Sequence, residues 1–124
     1  MKRIVVTDDD AGIQDVLKLI LERAGYEVDV ISNGNDILKN HFVLPDLFIL
    51  DKQLSGIDGL DVCRHLKSQK KTAHIPILMI SANPNINHLA REAGAEDFIE
   101  KPFEMKFLLN KVEKYIVGEL ARAK

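Results

Sequence analysis

Four mostly apolar runs in this chain are each followed directly by a polar residue that can carry chemistry. The runs end at residues 7, 50, 80 and 100, and such runs are typical of buried parallel strands. The polar residues that follow them are Asp8 and Asp9, Asp51, Ser81 and Lys101. In an open α/β sheet, ligands bind just outside the carboxyl ends of the strands. The pattern therefore predicts that three carboxylates, a hydroxyl and an ammonium group converge, which suits a divalent cation and a phosphoryl group.

Strand and helix patterns alternate five times along the chain. The predicted strands cover residues 4–7, 26–31, 47–50, 77–80 and 98–99, and the helical patterns cover 13–24, 36–42, 60–66, 86–93 and 103–116. Asp10 is a suitable N-cap for the first helix, and residues 52–58 are predicted to form a loop. This (βα)5 pattern with short connections predicts an α/β fold, a doubly wound and mostly parallel five-stranded sheet with helices on both faces.

Composition limits the class of protein. The 124 residues, 46% of them apolar, fit a single domain over residues 1–124, with a core of about 2–118 and a short tail at 119–124. A net charge of −2 argues against direct contact with nucleic acid. No run approaches the roughly 20 apolar residues that span a bilayer, and the single cysteine, Cys63, excludes an internal disulfide. We expect a cytoplasmic protein with no membrane partner and a buried Cys63.

Four segments together resemble the receiver domain of two-component response regulators. They are Val5 to Asp10 (VVTDDD), Asp51 to Gly59 (DKQLSGIDG), Ser81-Ala82, and Lys101 to Phe103 (KPF). Each segment is a weak signal alone, but the four occur in order and each lies at a predicted strand end. The resemblance covers roughly residues 2–116 and implies a flavodoxin-like, CheY-like sheet with strand order 2-1-3-4-5.

The resemblance assigns the acidic residues to phosphoryl and metal chemistry. It implies that Asp51 accepts the phosphoryl group, since a carboxylate can attack phosphorus and form an acyl phosphate. It also implies that Asp9, Asp51 and the main-chain carbonyl of Gln53 bind Mg²⁺, or Mn²⁺ in its place, while Asp8 acts through a bound water. Clustered carboxylates repel one another, and a bound cation relieves that repulsion.

The other matching positions imply a lysine, a switch and a pair of tuning residues. Lys101 would pair with Asp51 at rest and with the phosphoryl oxygens afterwards, its direction fixed by a cis peptide bond to Pro102. Ser81 would donate its hydroxyl to the phosphoryl group, and Phe98 occupies the place of the family's switch aromatic.

Gln53 and Asn83 lie two residues beyond Asp51 and Ser81. In the family, these positions flank the path of the hydrolytic water and tune the lifetime of the phosphate. We expect this pair of amides to set that lifetime here.

Two departures from the family pattern concern the surroundings of the site. Ser55 stands where the family usually has proline, and we expect it to loosen the loop without touching the chemistry. The stretch from Ser81 to Lys101 is shorter than is usual in the family, and the shortfall falls in or before the fourth helix.

The predicted function is a phosphorylation-controlled signalling module of a phosphorelay rather than an enzyme. A sensor histidine kinase or a histidine phosphotransfer protein would supply the phosphoryl group, and the chain would assist its own phosphotransfer and dephosphorylation. A downstream target would bind the face formed by the fourth helix, last strand and last helix. We expect a monomer or a weak dimer. The kinase, the pathway, and whether the chain acts alone or within a larger protein stay open.

Two other functions compete with this one. Asp8 and Asp10 form an Asp-x-Asp pair after a strand, as in haloacid-dehalogenase-type phosphatases, where Asp8 would be the nucleophile and Asp10 the acid–base residue. Gly12 does not fit that pattern, and the chain is short for such an enzyme. A receiver-like scaffold that is never phosphorylated is the other possibility, against which the complete set of site residues argues.

Overall fold

Strands and helices alternate along the part of the chain described by the computed structural model, namely the backbone of residues 1–123 and the side chains of residues 1–116. The strands are β1 (Arg3–Thr7), β2 (Glu27–Val30), β3 (Leu47–Asp51), β4 (Gln53–Leu54), β5 (Ile57–Asp58), β6 (Ile77–Ser81) and β7 (Asp97–Glu100). The helices are α1 (Ala11–Arg23), α2 (Gly34–Leu38), α3 (Gly59–Ser68), α4 (Ile86–Glu92) and α5 (Met105–Ala123). Within the described residues, no helix is both long and apolar enough to cross a membrane.

The main sheet is parallel throughout and has the strand order β2-β1-β3-β6-β7. Counted without the small β4–β5 hairpin, this is the predicted order 2-1-3-4-5, so the predicted fold is confirmed. The register pairs Thr7 with Leu50, Asp51 with Ile80, and Ser81 with Glu100. The carboxyl ends of β1, β3, β6 and β7 therefore meet along one edge.

Alternate residues of the central strands face two separate cores. One core joins the sheet to α2, α3 and α4, and its residues from the main sheet are Val5, Phe48, Leu50, Ile77, Met79 and Phe98. The other joins the sheet to α1 and α5, and its strand residues include Ile4, Val6, Leu47, Ile49, Leu78 and Ile80. Because both faces are covered, β3 and β6 are buried along their whole length, which explains their unbroken apolar runs.

The segment predicted as a loop at 52–58 contains the antiparallel hairpin of β4 and β5, so that prediction is wrong in part. Gln53 pairs with Asp58 and Leu54 pairs with Ile57. Two-residue strands are too short to show an apolar period, so the sequence pattern could not reveal them.

Helix α2 is shorter than predicted and begins earlier. The Asn33 side chain accepts a hydrogen bond from the Asn35 N–H and starts the helix before Asp36. The helix ends at Leu38, because Asn40 takes a left-handed φ of 61° and cannot continue it to Phe42.

The other helix boundaries follow the local sequence. Asp10 caps α1 by accepting from the N–H groups of Gly12 and Ile13, as predicted. Helix α4 begins after Asn85 and has seven residues, which agrees with the shortened stretch before Lys101. Cys63 is buried in α3, as expected. Helix α5 runs to Ala123, through most of the predicted tail, while Lys124 lies outside the described residues.

Candidate phosphoryl and metal site

Three carboxylates come together at the ends of two neighbouring strands. Asp51 is the last residue of β3, and Asp8 and Asp9 directly follow β1, which pairs with β3. One carboxylate oxygen from each residue lies within 4.8 Å of the other two. Asp8 and Asp51 are buried, while Asp9 is exposed. The edge of the sheet thus carries one exposed and two buried acidic groups in contact range.

Lys101 follows β7 and reaches back across β6 to the two buried carboxylates. Its Nζ lies 2.8 Å from Asp51 Oδ2 and 3.1 Å from Asp8 Oδ2. Its main-chain N–H donates to the Ser81 carbonyl at 2.9 Å, which extends the β6–β7 pairing to the site. The peptide bond from Lys101 to Pro102 is cis, as predicted. One ammonium group therefore donates hydrogen bonds to two carboxylates.

Main-chain donors fix the second oxygen of each buried carboxylate. The Asp10 N–H donates to Asp8 Oδ1 at 2.9 Å, and the Gln53 N–H donates to Asp51 Oδ1 at 3.1 Å. The Gln14 side-chain amide also donates to the main-chain carbonyl of Asp8. Both carboxylates are thus oriented by the loops that follow their strands.

The electrostatics of the cluster leave negative charge in excess. Burial raises the pKa of Asp8, and the neighbouring Asp51 charge adds to that effect. Burial alone would lower the pKa of Lys101, but its hydrogen bonds and charge interactions with Asp51 and Asp8 outweigh burial and raise it. Three convergent carboxylates with one ammonium group are a hard-oxygen donor set that fits Mg²⁺ or Mn²⁺.

A cleft of about 380 Å³ opens above the cluster. Its lining includes Asp9, Asp10, Asp51, Lys52, Gln53, Ser81, Ala82, Asn83, Ile86 and Lys101. The Ser81 hydroxyl accepts from the Asn83 N–H at 3.1 Å, and the Asn83 side chain accepts from the Asn85 N–H at 3.0 Å. Main-chain N–H groups thus orient the polar side chains of Ser81 and Asn83 on one side of the cleft.

Phe98 lies apart from this cleft. Its side chain is 8% exposed and belongs to the core beneath α4. It also borders a second groove of about 480 Å³ between α4 and the start of α5. In this conformation the aromatic ring thus faces the α4–β7–α5 side of the molecule.

Three residues near the site were not predicted to act there. Lys52 lines the cleft, and its Nζ pairs with Asp58 Oδ2 at 3.2 Å. Gly59 lies against the backbone behind Asp51, since a Cβ there would come within 2.1 Å of the Asp51 carbonyl oxygen. Ser55, which we expected to loosen the loop without touching the chemistry, contacts the site, because its hydroxyl donates to Asp9 Oδ2 at 3.2 Å. All three lie in the segment Asp51 to Gly59, but only the Asp58-Gly59 pair carried a signal of local structure, that of a turn.

Comparison with known proteins agrees with this geometry. A family model of the response regulator receiver domain matches residues 4–113. The DNA-binding dual master transcriptional regulator RpaA of Synechocystis is 36% identical over 118 residues, which cover 90% of this chain and 48% of that protein. The chain spans about half the length of the curated relatives it matches.

Solved structures share the fold. The signal receiver domain of a signal transduction histidine kinase from Syntrophus aciditrophicus has a TM-score of 0.86 at 31% identity, covering 95% of this chain and 92% of that one. The receiver domain of the sensor histidine kinase PA1611 from Pseudomonas aeruginosa, which has a magnesium ion coordinated in its active-site cleft, has a TM-score of 0.85 at 24% identity, covering 93% and 97%. With the family match, these findings show that the chain belongs to the receiver domains of two-component response regulators, which are signalling domains.

Proposed function

We propose that this chain is a phosphorylation-controlled signalling module that accepts a phosphoryl group on Asp51. The position of the Asp51 carboxylate carries the proposal: it borders the cleft, lies beside Asp8 and Asp9, and accepts from Lys101 at 2.8 Å. Asp8 is completely buried and is not among the residues that line the cleft. Of the two buried carboxylates, Asp51 is thus the one that a phosphoryl donor can reach.

The proposed reaction is a displacement at phosphorus. A carboxylate oxygen of Asp51 attacks the phosphoryl group of a phosphohistidine on a sensor histidine kinase or a histidine phosphotransfer protein. The new P–O bond forms as the P–N bond breaks, and the released imidazole takes a proton from solvent. Lys101, already in contact with Asp51, moves its hydrogen bond to a phosphoryl oxygen.

The metal belongs to the same proposal. Asp9, Asp51 and the main-chain carbonyl of Gln53 would hold Mg²⁺ or Mn²⁺, with Asp8 acting through a water molecule. When bound, the cation supplies positive charge to the transferring phosphoryl group. The convergence of three carboxylate oxygens within 4.8 Å supports this assignment.

The proposed output begins at Ser81 and ends on the α4–β7–α5 face. Ser81 donates its hydroxyl to the new phosphoryl group and draws the loop after β6 with it, and Phe98 changes its packing in response. The groove beside Phe98 supports a target site here, since Phe103 and Phe107 also line it, and Glu100 and Glu104 add negative charge. We propose that the downstream target binds this face.

We assign control of the phosphate's lifetime to Gln53 and Asn83. Both border the cleft, and both bring amides rather than a carboxylate that could act as a base for the hydrolytic water. Replacing either with Ala or Glu should change the dephosphorylation rate, measured as loss of label over time. An unchanged rate in all four variants would contradict this role.

Phosphoryl mapping tests the proposed function. The chain is treated with acetyl phosphate and Mg²⁺, and the modified residue is located by reduction with borohydride and peptide mass spectrometry. We expect label on Asp51 and none in Asp51→Asn. Label on Asp8 would instead favour the phosphatase reaction, although Asp10, its partner in that reaction, is engaged in capping α1. An unlabelled wild-type chain that also binds no Mg²⁺ would favour the unphosphorylated scaffold.

A further inference from the structure

The three carboxylates of the cluster are not held equally. Asp8 and Asp51 are buried, and each accepts from Lys101 and from a main-chain N–H. Asp9 is exposed, and among the described residues its carboxylate accepts a single hydrogen bond, from the hydroxyl of Ser55 at 3.2 Å. The orientation of Asp9 thus depends on one side chain from a different part of the chain.

Ser55 lies on the β4–β5 hairpin, which is anchored to the rest of the fold. It lies at the tip of the β4–β5 hairpin, between Leu54, which is buried in the core, and Gly56, whose φ of 72° turns the chain. At the base of the hairpin, Asp58 pairs with Lys52 and caps α3 by accepting from the Leu60 N–H. The hairpin can therefore hold the Ser55 hydroxyl at a fixed place beside Asp9.

We propose that Ser55 is a positioning residue that holds Asp9 in the orientation in which it binds the divalent cation. This inference rests on the proposed function of the site. A carboxylate has two oxygens, so Oδ2 can accept from Ser55 while the other oxygen stays available. Ligating carboxylates are commonly fixed by such outer hydrogen bonds, and their loss weakens metal binding.

The hydroxyl is the part of Ser55 that the proposed role requires. Proline carries no hydroxyl and could not hold Asp9 in this way. Without Ser55, the exposed Asp9 side chain is free to sample its other rotamers, and binding of the cation must then order it. The serine hydroxyl therefore orders Asp9 before the cation binds.

Titration of the full chain with Mg²⁺, followed by NMR amide shifts without any phosphoryl donor, tests this proposal. We expect Ser55→Ala and Ser55→Pro to raise the dissociation constant roughly three- to tenfold. Ser55→Thr keeps the hydroxyl and should bind as the wild type does. Ser68→Ala is the matched control, since the Ser68 hydroxyl donates to the His65 carbonyl at 2.7 Å, away from the site.

A double-mutant cycle with Asp9→Ala separates positioning from a general effect on the fold. In the Asp9→Ala background, Ser55→Ala should change the dissociation constant no further. Equal affinity in wild type and Ser55→Ala, or an equal loss in both backgrounds, would overturn the role of Ser55 and leave the proposed function standing. A wild-type chain that binds no Mg²⁺ would overturn the proposed metal site, and with it this inference.

Discussion

Buried carboxylates lie at opposite edges of the same sheet, two at one edge and one at the other, and are compensated in different ways. At the carboxyl edge, Asp8 and Asp51 share the single ammonium group of Lys101. At the amino edge, Asp97 begins β7, is 3% exposed, and accepts from four donors. These are the Arg91 side chain at 2.9 Å, Lys111 at 2.6 Å, the Tyr115 hydroxyl at 2.8 Å and the Phe98 N–H at 2.8 Å.

The pKa values of Asp8 and Asp97 shift in opposite directions. Burial raises the pKa of Asp8, and the charge of Asp51 raises it further. Burial also acts to raise the pKa of Asp97, but the hydrogen bonds from Lys111, Phe98 and Tyr115 outweigh burial and lower it. A carboxylate that joins α4, β7 and α5 is thus fully compensated by the chain itself. The carboxylates of the site are left short of positive charge, which an external cation can supply.

Removing Asp97 should destabilise the fold more than removing a carboxylate of the site. Asp97→Ala leaves Lys111 and Arg91 without their shared partner, and we expect the free energy of unfolding to fall by about 3 kcal/mol. Asp51→Ala should cost less than about 1 kcal/mol, because Lys101 keeps Asp8 as a partner. Urea unfolding followed by circular dichroism, in EDTA at pH 7, measures both. Equal losses would contradict the stronger compensation of Asp97.

A side chain added at Gly59 should destabilise the fold more than the loss of a site carboxylate does. Gly59→Ala would place Cβ 2.1 Å from the Asp51 carbonyl oxygen and 2.8 Å from Lys52 Cα, both main-chain atoms. We expect a loss of about 2 kcal/mol in unfolding free energy, together with reduced phosphoryl uptake. Gly12→Ala is the matched control, since its Cβ would meet only the Asp10 side chain, at 3.2 Å. If both variants were equally stable, the close contact behind Asp51 would be disproved.

The two edges also differ in how far the sequence could predict them. The residues of the site end neighbouring strands, and parallel pairing brings strand ends together whatever the details of packing. That rule alone predicted that Asp51 and Lys101 would meet across 50 residues of chain. The Asp97 group has no such rule, because its partners come from two helices whose side-chain directions an apolar period does not fix.

Features that depend on loop conformation could not be predicted from the sequence either. Ser55 and Asp9 are 46 positions apart, and their hydrogen bond needs a hairpin whose strands have only two residues each. The end of α2 likewise depends on the left-handed backbone of Asn40, a conformation that the apolar pattern of the predicted helix did not indicate. Strand-end position thus predicted the main site, while turn conformations decided its surroundings.

Removing one hydrogen bond from the Asp97 group should lower the free energy of unfolding moderately. Tyr115→Phe deletes the hydroxyl that donates to Asp97 at 2.8 Å, and we expect a loss of about 1 kcal/mol in unfolding free energy at pH 7. Burial, followed by the hydrogen bond to Asp97, raises the pKa of Tyr115 to about 12. Since the unfolded chain ionises first, this contribution is complete below pH of about 10 and is lost as the pH rises toward 12. The variant should therefore lose less stability over that range than the wild type, and identical slopes would contradict this role.

The smallest expected effect is an increase in the free energy of unfolding. Asp8→Asn keeps the shape of the side chain and an oxygen for the Asp10 N–H. It removes one negative charge from the cluster and the hydrogen bond from Lys101, which keeps Asp51 as a partner. We expect the free energy of unfolding in EDTA to rise by less than about 1 kcal/mol, because charge repulsion with Asp51 is relieved. Asp97→Asn, the matched change at the other edge, should lower it, since Arg91 and Lys111 then lose their counter-charge. Added Mg²⁺ should stabilise the wild type more than Asp8→Asn, since the cation binds the folded acidic cluster. If Asp8→Asn lost stability as Asp97→Asn does, the carboxylates of the site would already be compensated by Lys101.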